Sequence, residues 1–255
     1  MSTHASDYLE NKLIDHITKK AAYTPAATVY LALFTAYTEG GQQTEVADAT
    51  YARQAMTFGA AAARSIATSA TITFPAATTG WVNTHLGIMD AETGGNLLYS
   101  GELPKTVGAG EQLEVASGDL TATHGQALDG ISDYACNAWL DLVLRNQTFT
   151  VTNCYAALFT AWTDDTTNTE CADGGYARLD VGGGFSAAAA GVSHNDAAIT
   201  FGAATGGGYT VTHVALMDAL TGGNILLRSA LAASKAIGTG EALRFPAGDL
   251  VITCT

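Results

Sequence analysis

Residues Thr84 to Asn96 read T-H-L-G-I-M-D-A-E-T-G-G-N. This stretch returns at Thr212 to Asn224 as T-H-V-A-L-M-D-A-L-T-G-G-N, without a gap. His85 therefore corresponds to His213 in a second copy of the same unit. An internal repeat has to be found first, because it determines how the rest of the chain is divided.

Other short motifs follow in the same order through both copies. They are D-Y-x-x-N at Asp7 and Asp133, A-L-F-T-A at Ala32 and Ala157, Y-A-R at Tyr51 and Tyr176, I-T-F at Ile72 and Ile199, and G-D-L at Gly118 and Gly248. Their spacing drifts by a few residues, which indicates small loop insertions. We predict two domains, 1–127 and 128–255, each close to the usual size of a single domain.

The composition restricts the classes of function. Hydrophobic residues make up 47% of the chain and charged residues only 14%, which is not the composition of a disordered protein. The net charge is −13, and both halves are acidic. Surfaces that bind nucleic acid or anionic lipid need clustered Lys and Arg. We therefore expect no nucleic-acid partner and no membrane partner.

Two further absences in the sequence suggest where the chain is made. It has no run of about 18 apolar residues, the length that predicts a membrane-spanning helix. Its first residues, M-S-T-H-A-S-D-Y, lack the basic and apolar regions of a signal peptide. We expect synthesis and assembly in a cytoplasm.

All four cysteines lie in the second copy, and none has a counterpart in the first. They are Cys136, Cys154, Cys171 and Cys254. Their spacing matches no zinc-binding pattern. In a cytoplasmic chain, buried or half-buried free thiols are the expected state.

Each copy begins with a predicted helix. In the first copy it runs from Asp7 to Thr18, where apolar residues recur at steps of three and four. Ser6 or Asp7 is expected to cap it. The second copy repeats the pattern from Asp133. Each helix is amphipathic, so we expect each to lay one apolar stripe on its own domain.

After the helix, the pattern changes to short strands separated by Gly- and Thr-rich turns. The predicted strands of the first copy are Thr28–Phe34, Ala52–Phe58, Ala70–Phe74, Thr84–Met89, Asn96–Gly101, Gln112–Ala116 and Asp119–Thr123. Regular short strands with turn residues between them favour an all-β sandwich or barrel. The predicted fold class is therefore mainly β, with two tandem β-sandwich domains, each preceded by one N-terminal α-helix. Val82–Met89 and Tyr209–Met217 are the expected central strands, and 125–131 is the expected boundary, too short to be a free tether.

His85 with Asp90, repeated as His213 with Asp218, is the most catalytic-looking combination. The two residues are five apart on a predicted strand, which separates them by roughly 16 Å. The Asp, followed by A-x-T-G-G-N, is better explained as a turn residue that binds its own backbone. Motifs for a nucleophile elbow, a phosphate loop or a metalloprotease are absent from the sequence. We predict no catalytic residues.

An acidic loop in the second copy could suit calcium, which prefers oxygen ligands. It contains Asp164, Asp165, Asn168, Glu170 and Asp173, whereas the first copy has Glu39, Glu45 and Asp48. The spacing is not that of an EF-hand loop. We interpret it as a solvated acidic loop and predict no metal and no cofactor.

Tyr51-Ala52-Arg53 and Tyr176-Ala177-Arg178 form the most specific polar motif. An arginine beside a tyrosine at a strand start can hold a loop through the carbonyl oxygens of that loop, or stack across a sheet. Because the motif occurs in both copies, a structural role is favoured over a partner contact.

The order of these motifs resembles small structural proteins of tailed bacteriophages and prophages. The motifs are the helix, A-L-F-T-A, Y-A-R, I-T-F, T-H-x-x-x-x-D-A-x-T-G-G-N-x-L, K-x-x-x-x-G-E and G-D-L. Such proteins are often labelled tail-fibre-like, and some are capsid decoration (cement) proteins. The family unit is commonly one copy, so this chain resembles a tandem duplication that covers nearly its whole length.

The resemblance implies a non-enzymatic virion protein on the capsid exterior. The expected function is head decoration and stabilisation, with the major capsid protein as partner. The alternative is a tail or neck fibre component that binds a receptor or glycan, with Tyr37, Trp162 and Tyr99 as exposed binding groups. A hydrolase is the weakest class. The duplication further predicts self-association of the two copies through a pseudo-two-fold surface, as in a homodimer.

Overall fold

The computed structural model describes residues 2–124 and 130–254. It confirms the predicted fold class, because the described chain is mainly β, with two sheet-rich halves that each follow a helix. The predicted boundary 125–131 lies outside the described residues, apart from Gly130 and Ile131.

The chain forms two compact units that do not coincide with contiguous halves. Unit 1 contains Met1–Glu10, Thr24–Gly125 and Asn137–Phe149. Unit 2 contains Asn11–Tyr23, Gln126–Cys136 and Thr150–Thr255. The expectation that each helix lays its apolar stripe on its own domain is therefore wrong, because the first helix from Asn11 onward and the second from Asn137 onward belong to the unit that holds the strands of the other repeat. Periodicity predicts a buried stripe on a helix, but it carries no information about which sheet covers that stripe.

The two helices are α1 (Asp7–Ile17) and α2 (Asp133–Arg145). Serine caps both of them. The Ser6 hydroxyl accepts a hydrogen bond from the Leu9 N–H at 3.3 Å, and the Ser132 hydroxyl accepts one from the Ala135 N–H at 3.0 Å. Each satisfies an N–H group that the first turn of a helix leaves unpaired.

The sheets of unit 1 are built from the first copy. Its strands are β1 (Ser2–Ala5), β2 (Val29–Tyr37), β3 (Gln43–Glu45), β4 (Gln54–Met56), β5 (Ser65–Ala67), β6 (Ile72–Thr73), β7 (Trp81–Met89), β8 (Leu97–Val107), β9 (Glu114–Val115) and β10 (Thr121–Thr123). Seven follow the order β3-β2-β7-β8-β1-β10-β5, β4 pairs with β2, and β6 pairs with β9. The repeated stretch thus supplies β7, an interior strand between β2 and β8, in agreement with its predicted place in the core of the sheet.

Unit 2 repeats this arrangement with strands of the second copy. They are β11 (Tyr155–Trp162), β12 (Asn168–Glu170), β13 (Leu179–Asp180), β14 (Val192–His194), β15 (Ile199–Thr200), β16 (Tyr209–Met217), β17 (Ile225–Ile237), β18 (Arg244–Phe245) and β19 (Val251–Thr253). The main sheet has the order β12-β11-β16-β17, with β13 on β11. Two further pairs are β14-β19 and β15-β18. The central strand is again the predicted one.

The main sheet of each unit has a similar apolar cluster. In unit 1 it contains Ala32, Phe34, Met89 and Leu97. In unit 2 it contains Ala157, Phe159, Ala215 and Met217. Three positions correspond, and Ile225, the counterpart of Leu97, packs against the second cluster, so the duplication largely preserves the packing.

The strands β1, β3 and β5 were not predicted from the sequence. Each has only three or four residues and no alternation of apolar and polar side chains. Tertiary pairing forms them: β1 pairs antiparallel with β8 and parallel with β10, so it joins two parts of the sheet. Strands of this kind depend on their neighbours more than on intrinsic preference.

Candidate functional site

The Tyr-x-Arg motif forms a clamp that we call the arginine clamp, consisting in unit 1 of Glu45, Tyr51 and Arg53. Arg53 Nη1 donates to the carbonyl oxygens of Ala91 at 2.7 Å and Gly94 at 2.6 Å. Its Nη2 donates to Glu45 at 2.5 Å, and the Tyr51 hydroxyl donates to the same carboxylate at 3.0 Å. The loop after β7 is thereby tied to β3, which is one of the two structural roles considered from the sequence.

Unit 2 repeats the arginine clamp with Glu170, Tyr176 and Arg178. Arg178 Nη1 donates to Ala219 O at 2.6 Å and Gly222 O at 2.7 Å, and its Nη2 donates to Glu170 at 2.6 Å. Burial tends to raise the pKa of Glu170, but hydrogen bonds from Arg178 and Tyr176 outweigh it and lower the pKa. Charge-assisted hydrogen bonds of this kind are stronger than hydrogen bonds between uncharged groups.

Asp90 closes the loop that the arginine clamp holds. Asp90 Oδ1 accepts from the Asn96 backbone N–H at 2.6 Å, and Asp90 Oδ2 accepts from the Asn96 side-chain amide at 2.7 Å. Asp218 and Asn224 repeat both contacts at 2.6 and 2.7 Å. The carboxylates therefore act as turn residues, in agreement with the interpretation from sequence.

The two strand histidines contact aromatic neighbours. His85 lies with its ring centroid 5.1 Å from that of Tyr37, and its Nδ1 is 2.9 Å from Thr84 Oγ1. His213 stacks on Trp162 at 5.5 Å and has the equivalent contact with Thr212 at 3.0 Å. Burial, with Arg228 nearby, lowers the pKa of His213.

The residues of the acidic loop engage separate partners. Asp164 accepts from the backbone N–H groups of Thr166 and Thr167 at 2.8 and 2.7 Å. Asp165 pairs with Arg228, while Glu170 belongs to the arginine clamp. Each carboxylate is thus used in a local hydrogen-bond or ion-pair contact.

Asp173 and its first-copy counterpart Asp48 bind backbone N–H groups across a loop. Asp48 accepts from Thr78 and Thr79 at 3.0 and 2.9 Å, and these bonds lower the pKa of Asp48. Among residues 2–124 and 130–254, no group of three His, Cys, Asp or Glu side chains has a geometry that could hold a metal ion.

The three aromatic residues named for glycan binding are not equally available. Tyr99 is wholly buried, and its hydroxyl lies 3.0 Å from Nε2 of buried His124, so its prediction as an exposed group is wrong. Tyr99 lies on β8 and faces its neighbour β1, a strand that was not predicted from the sequence. Tyr37 is partly buried, its hydroxyl bonds Glu39, and the pKa of Tyr37 is raised by burial and by that bond to about 12.

Trp162 is enclosed by neighbours from unit 2. Its ring centroid is 4.7 Å from Phe159, in an edge-to-face arrangement, and Arg228 Cζ lies 5.7 Å from it. With His213 stacked on the ring as well, the side chain does not offer an open platform for a sugar. Stacking of a ligand here would have to displace one of these contacts.

One set of contacts was missed in the sequence, although the D-Y-x-x-N motif contains half of it. In unit 1, Asn137 Oδ1 accepts from the Arg64 N–H and Asp141 Oδ1 from the Ala61 N–H, both at 2.9 Å. In unit 2, Asn11 Oδ1 accepts from the Gly191 N–H at 2.9 Å and Asp15 Oδ1 from the Ala188 N–H at 2.8 Å. We call these two arrangements the helix–turn contacts.

The polar partners of these helix residues could not be read from the sequence. Asn11 and Asp15 lie one helical turn apart, so they project from one side of α1, and Asn137 and Asp141 do the same on α2. The recurrence of Asn11 as Asn137 was visible as a motif. Its acceptor role was not, because the bound turn is 180 residues away in the chain.

Within the described residues, no helix is both long and apolar enough to span a membrane. A search of curated proteins finds no match to the chain. A family model described as podophage GP4 fiber I protein gp80 matches the chain twice, over residues 4–123 and 130–253. The two matches coincide with the two sequence repeats and together cover nearly the whole chain. The chain therefore belongs to the podophage GP4 fiber I protein gp80 family, as a tandem duplication of the family unit.

Proposed function

We propose that the chain is a non-enzymatic structural subunit of a phage virion, and that it is a component of a fibre. The family match over both repeats carries this proposal. The polar groups that looked most able to do chemistry support it. Arg53 and Asp90, with their counterparts Arg178 and Asp218, make hydrogen bonds that hold loops.

These contacts make each repeat a β-unit whose loops are held rigidly by hydrogen bonds. In both units an arginine, a glutamate and an aspartate fix the T-G-G-N loop at the end of the central strand. A structural component gains from such internal bonding, because fixed loops present a constant surface to neighbouring subunits. The strongly acidic chain disfavours non-specific attraction to DNA and to anionic lipid.

Capsid decoration is the second candidate, with the major capsid protein as partner on the outer face of the head. The observation that favours it is the compactness of both units, whose short strands pair within each unit. A decoration protein and a fibre subunit differ in where they are attached and in what their loss weakens. These two differences define the test.

The test uses virions and a mutant phage that lacks the chain. Antibodies raised against the recombinant protein are applied to virions in immunogold electron microscopy, with an antibody against the major capsid protein as control. For a fibre component, gold is expected at the fibres, and loss of the chain reduces adsorption while heads stay heat-stable. Gold spread over the heads, with heat-sensitive heads in the mutant, would replace the fibre proposal with decoration. If the protein is not found in purified wild-type virions, both proposals are refuted.

A second test addresses the absence of catalysis. The purified chain and a His85→Ala/His213→Ala variant are incubated with surface polysaccharide of the host, and release of reducing ends is measured. We expect no release from either protein. Activity of the unsubstituted chain that the double substitution abolishes would overturn the non-enzymatic proposal.

A further inference from the structure

We propose that the helix of each repeat packs on the strands and turns of another copy of the repeat. The binding partner of this helix is therefore a second copy of the repeat. In this chain the two copies are fused, and each supplies the helix that the other needs. The observations that carry the proposal are the helix–turn contacts, which lie inside the compact units but join residues of different repeats.

The turns that receive the helices have N–H groups that need an acceptor. In unit 1 the turn is closed by hydrogen bonds between Ala62 and Ser65, at 2.9 and 3.0 Å in the two directions. The N–H of Arg64 is not part of that pairing and instead donates to Asn137. This contact is partly buried, and a backbone N–H withdrawn from water without an acceptor is costly, so the helix side chain stabilises the turn.

The backbone of the turn is unusual in the same way in both units. Ala63 and Arg64 have φ values of 48° and 63°, and Ala190 and Gly191 have 49° and 69°. Left-handed backbone is unfavourable for residues other than glycine, so it persists where surrounding contacts hold it. The helix–turn contacts supply such a restraint, directly on the N–H of the second left-handed residue.

Recognition is made to the backbone of the turn rather than to its side chains. The residue bound by the asparagine is Arg64 in one unit and Gly191 in the other, yet both contacts are 2.9 Å long. The two helices therefore bind the two turns through corresponding positions. This equivalence is expected if the same contact once joined two identical copies.

Apolar burial accompanies the polar contacts. On α1, Leu13 and Ile17 are 3% and 0% exposed, and on α2, Trp139 and Val143 are both 0% exposed. All four belong to the segment that joins the unit built from the other repeat's strands. In unit 2, Gly183 N–H also donates to the Thr18 carbonyl at 2.8 Å, just beyond α1.

The contacts predict a crossed pattern of hydrogen exchange in the full chain. In an Asn11→Leu/Asp15→Leu variant, the amides of Ala188 and Gly191 should exchange about tenfold faster, while those of Ala61 and Arg64 keep their protection. An Asn137→Leu/Asp141→Leu variant should do the reverse. An uncrossed pattern, in which the Asn11 variant deprotects 61–64, would overturn the proposal.

Conservative variants serve as matched controls. Asn11→Asp and Asp15→Asn keep a side-chain oxygen at the accepting position, so the amides of Ala188 and Gly191 should stay protected. Equal deprotection in the leucine and the conservative variants would mean that the lost protection does not come from these hydrogen bonds, and would count against the proposal.

A second measurement uses the unsubstituted side chains and does not depend on whether the leucine variants fold. A site for a specific protease is inserted between Gln126 and Ala127, and the purified full chain is cleaved there. If each repeat needs the helix of the other, the two pieces should stay together and elute with the mass of the uncleaved protein, which is 26.2 kDa plus that of the inserted site. Separation of the cleaved pieces in native buffer would refute the proposal.

Discussion

Arg53 binds Gly94 through a hydrogen bond of 2.6 Å from Nη1 to the carbonyl oxygen, and this contact spans 41 positions of the chain. The same guanidinium also bonds Glu45, which lies on a different strand. One planar side chain therefore joins a loop to a strand through both of its ends. Lysine has no such fork and cannot make both sets of bonds at once.

Replacing the arginine of the clamp by lysine is expected to destabilise the protein by about 2 to 3 kcal/mol, because charge-assisted hydrogen bonds are lost at a mostly buried site. Arg53→Lys and Arg178→Lys should behave alike. The free energy of unfolding is measured in urea, with Arg244→Lys, at an exposed position, as the control. Equal stability of the Arg53 and Arg244 variants would show that the clamp is not a stabilising contact.

Gly87→Ala is expected to destabilise unit 1 by about 1 to 3 kcal/mol through overpacking. A methyl group at Gly87 would lie 2.4 Å from a ring carbon of Phe34, which is buried. The second repeat has Ala215 at this position, so the comparison variant is Ala215→Gly, which should cost about 1 kcal/mol or less. Thermal unfolding of both variants checks the prediction, and an unchanged melting temperature for Gly87→Ala would contradict it.

Because the pKa of His124 is lowered in the folded protein, we expect the free energy of unfolding to decrease as the pH falls. Burial, with Arg64 nearby, lowers the pKa of His124 from 6.5 to about 4. Below pH 6.5 the unfolded chain binds a proton that the folded chain excludes, so stability falls as the pH drops from 6.5 towards 4, by about 3 kcal/mol. Urea unfolding from pH 7 to pH 4 measures this loss. A His124→Gln variant should lose correspondingly less, and identical pH slopes for both proteins would rule out the histidine as the cause.

For Glu10 we expect the opposite change of stability with pH. Burial and the charges of Asp7 and Glu39 raise the pKa of Glu10 from 4.5 to about 7. The folded chain therefore binds a proton more readily than the unfolded chain, and the resulting stability is lost as the pH rises from 4.5 through 7. In Glu10→Gln this part of the pH dependence should disappear. Melting temperatures of the two proteins at pH 5 and pH 8 test it, and parallel changes in both would contradict the assignment.

The four cysteines are expected to resist thiol reagents in the folded protein. All four are buried and none of them is joined in a disulfide, and burial raises the pKa of the Cys154 thiol to about 12. Since the thiolate is the reactive form, a chromogenic disulfide reagent should react slowly until the chain is unfolded, and then with four thiols per chain. Fewer than four after unfolding would indicate a disulfide.

Several parts of the fold and site were predictable because they are local. The T-G-G-N loop follows a strand-end aspartate, and the structure closes that loop through Asp90 and Asn96. The central strands β7 and β16 were recognisable from apolar runs bounded by turns. The loop-holding role of Arg53 was predictable because the motif recurred, although its glutamate partner was not identified.

Other parts depend on contacts between distant residues. Strand β1 has no pattern of its own and exists because β8 and β10 flank it. Tyr99 could be exposed or buried on its sequence alone, because it is an aromatic residue with a hydroxyl group. The pairing of β8 with β1 places it in the interior, where its hydroxyl lies 3.0 Å from Nε2 of His124.

The duplication, the mainly β class, the helix at the start of each repeat and the apolar stripe on each helix could all be predicted from the order of the residues. The strands that cover this stripe, and the turn that binds Asn11, became known only from the three-dimensional arrangement. The physical reason is that burial stabilises an apolar surface in proportion to its area, whatever surface covers it. Periodicity therefore encodes that a helix face is buried, whereas its partner is selected by three-dimensional fit and by the N–H groups that the turn at 188–191 presents.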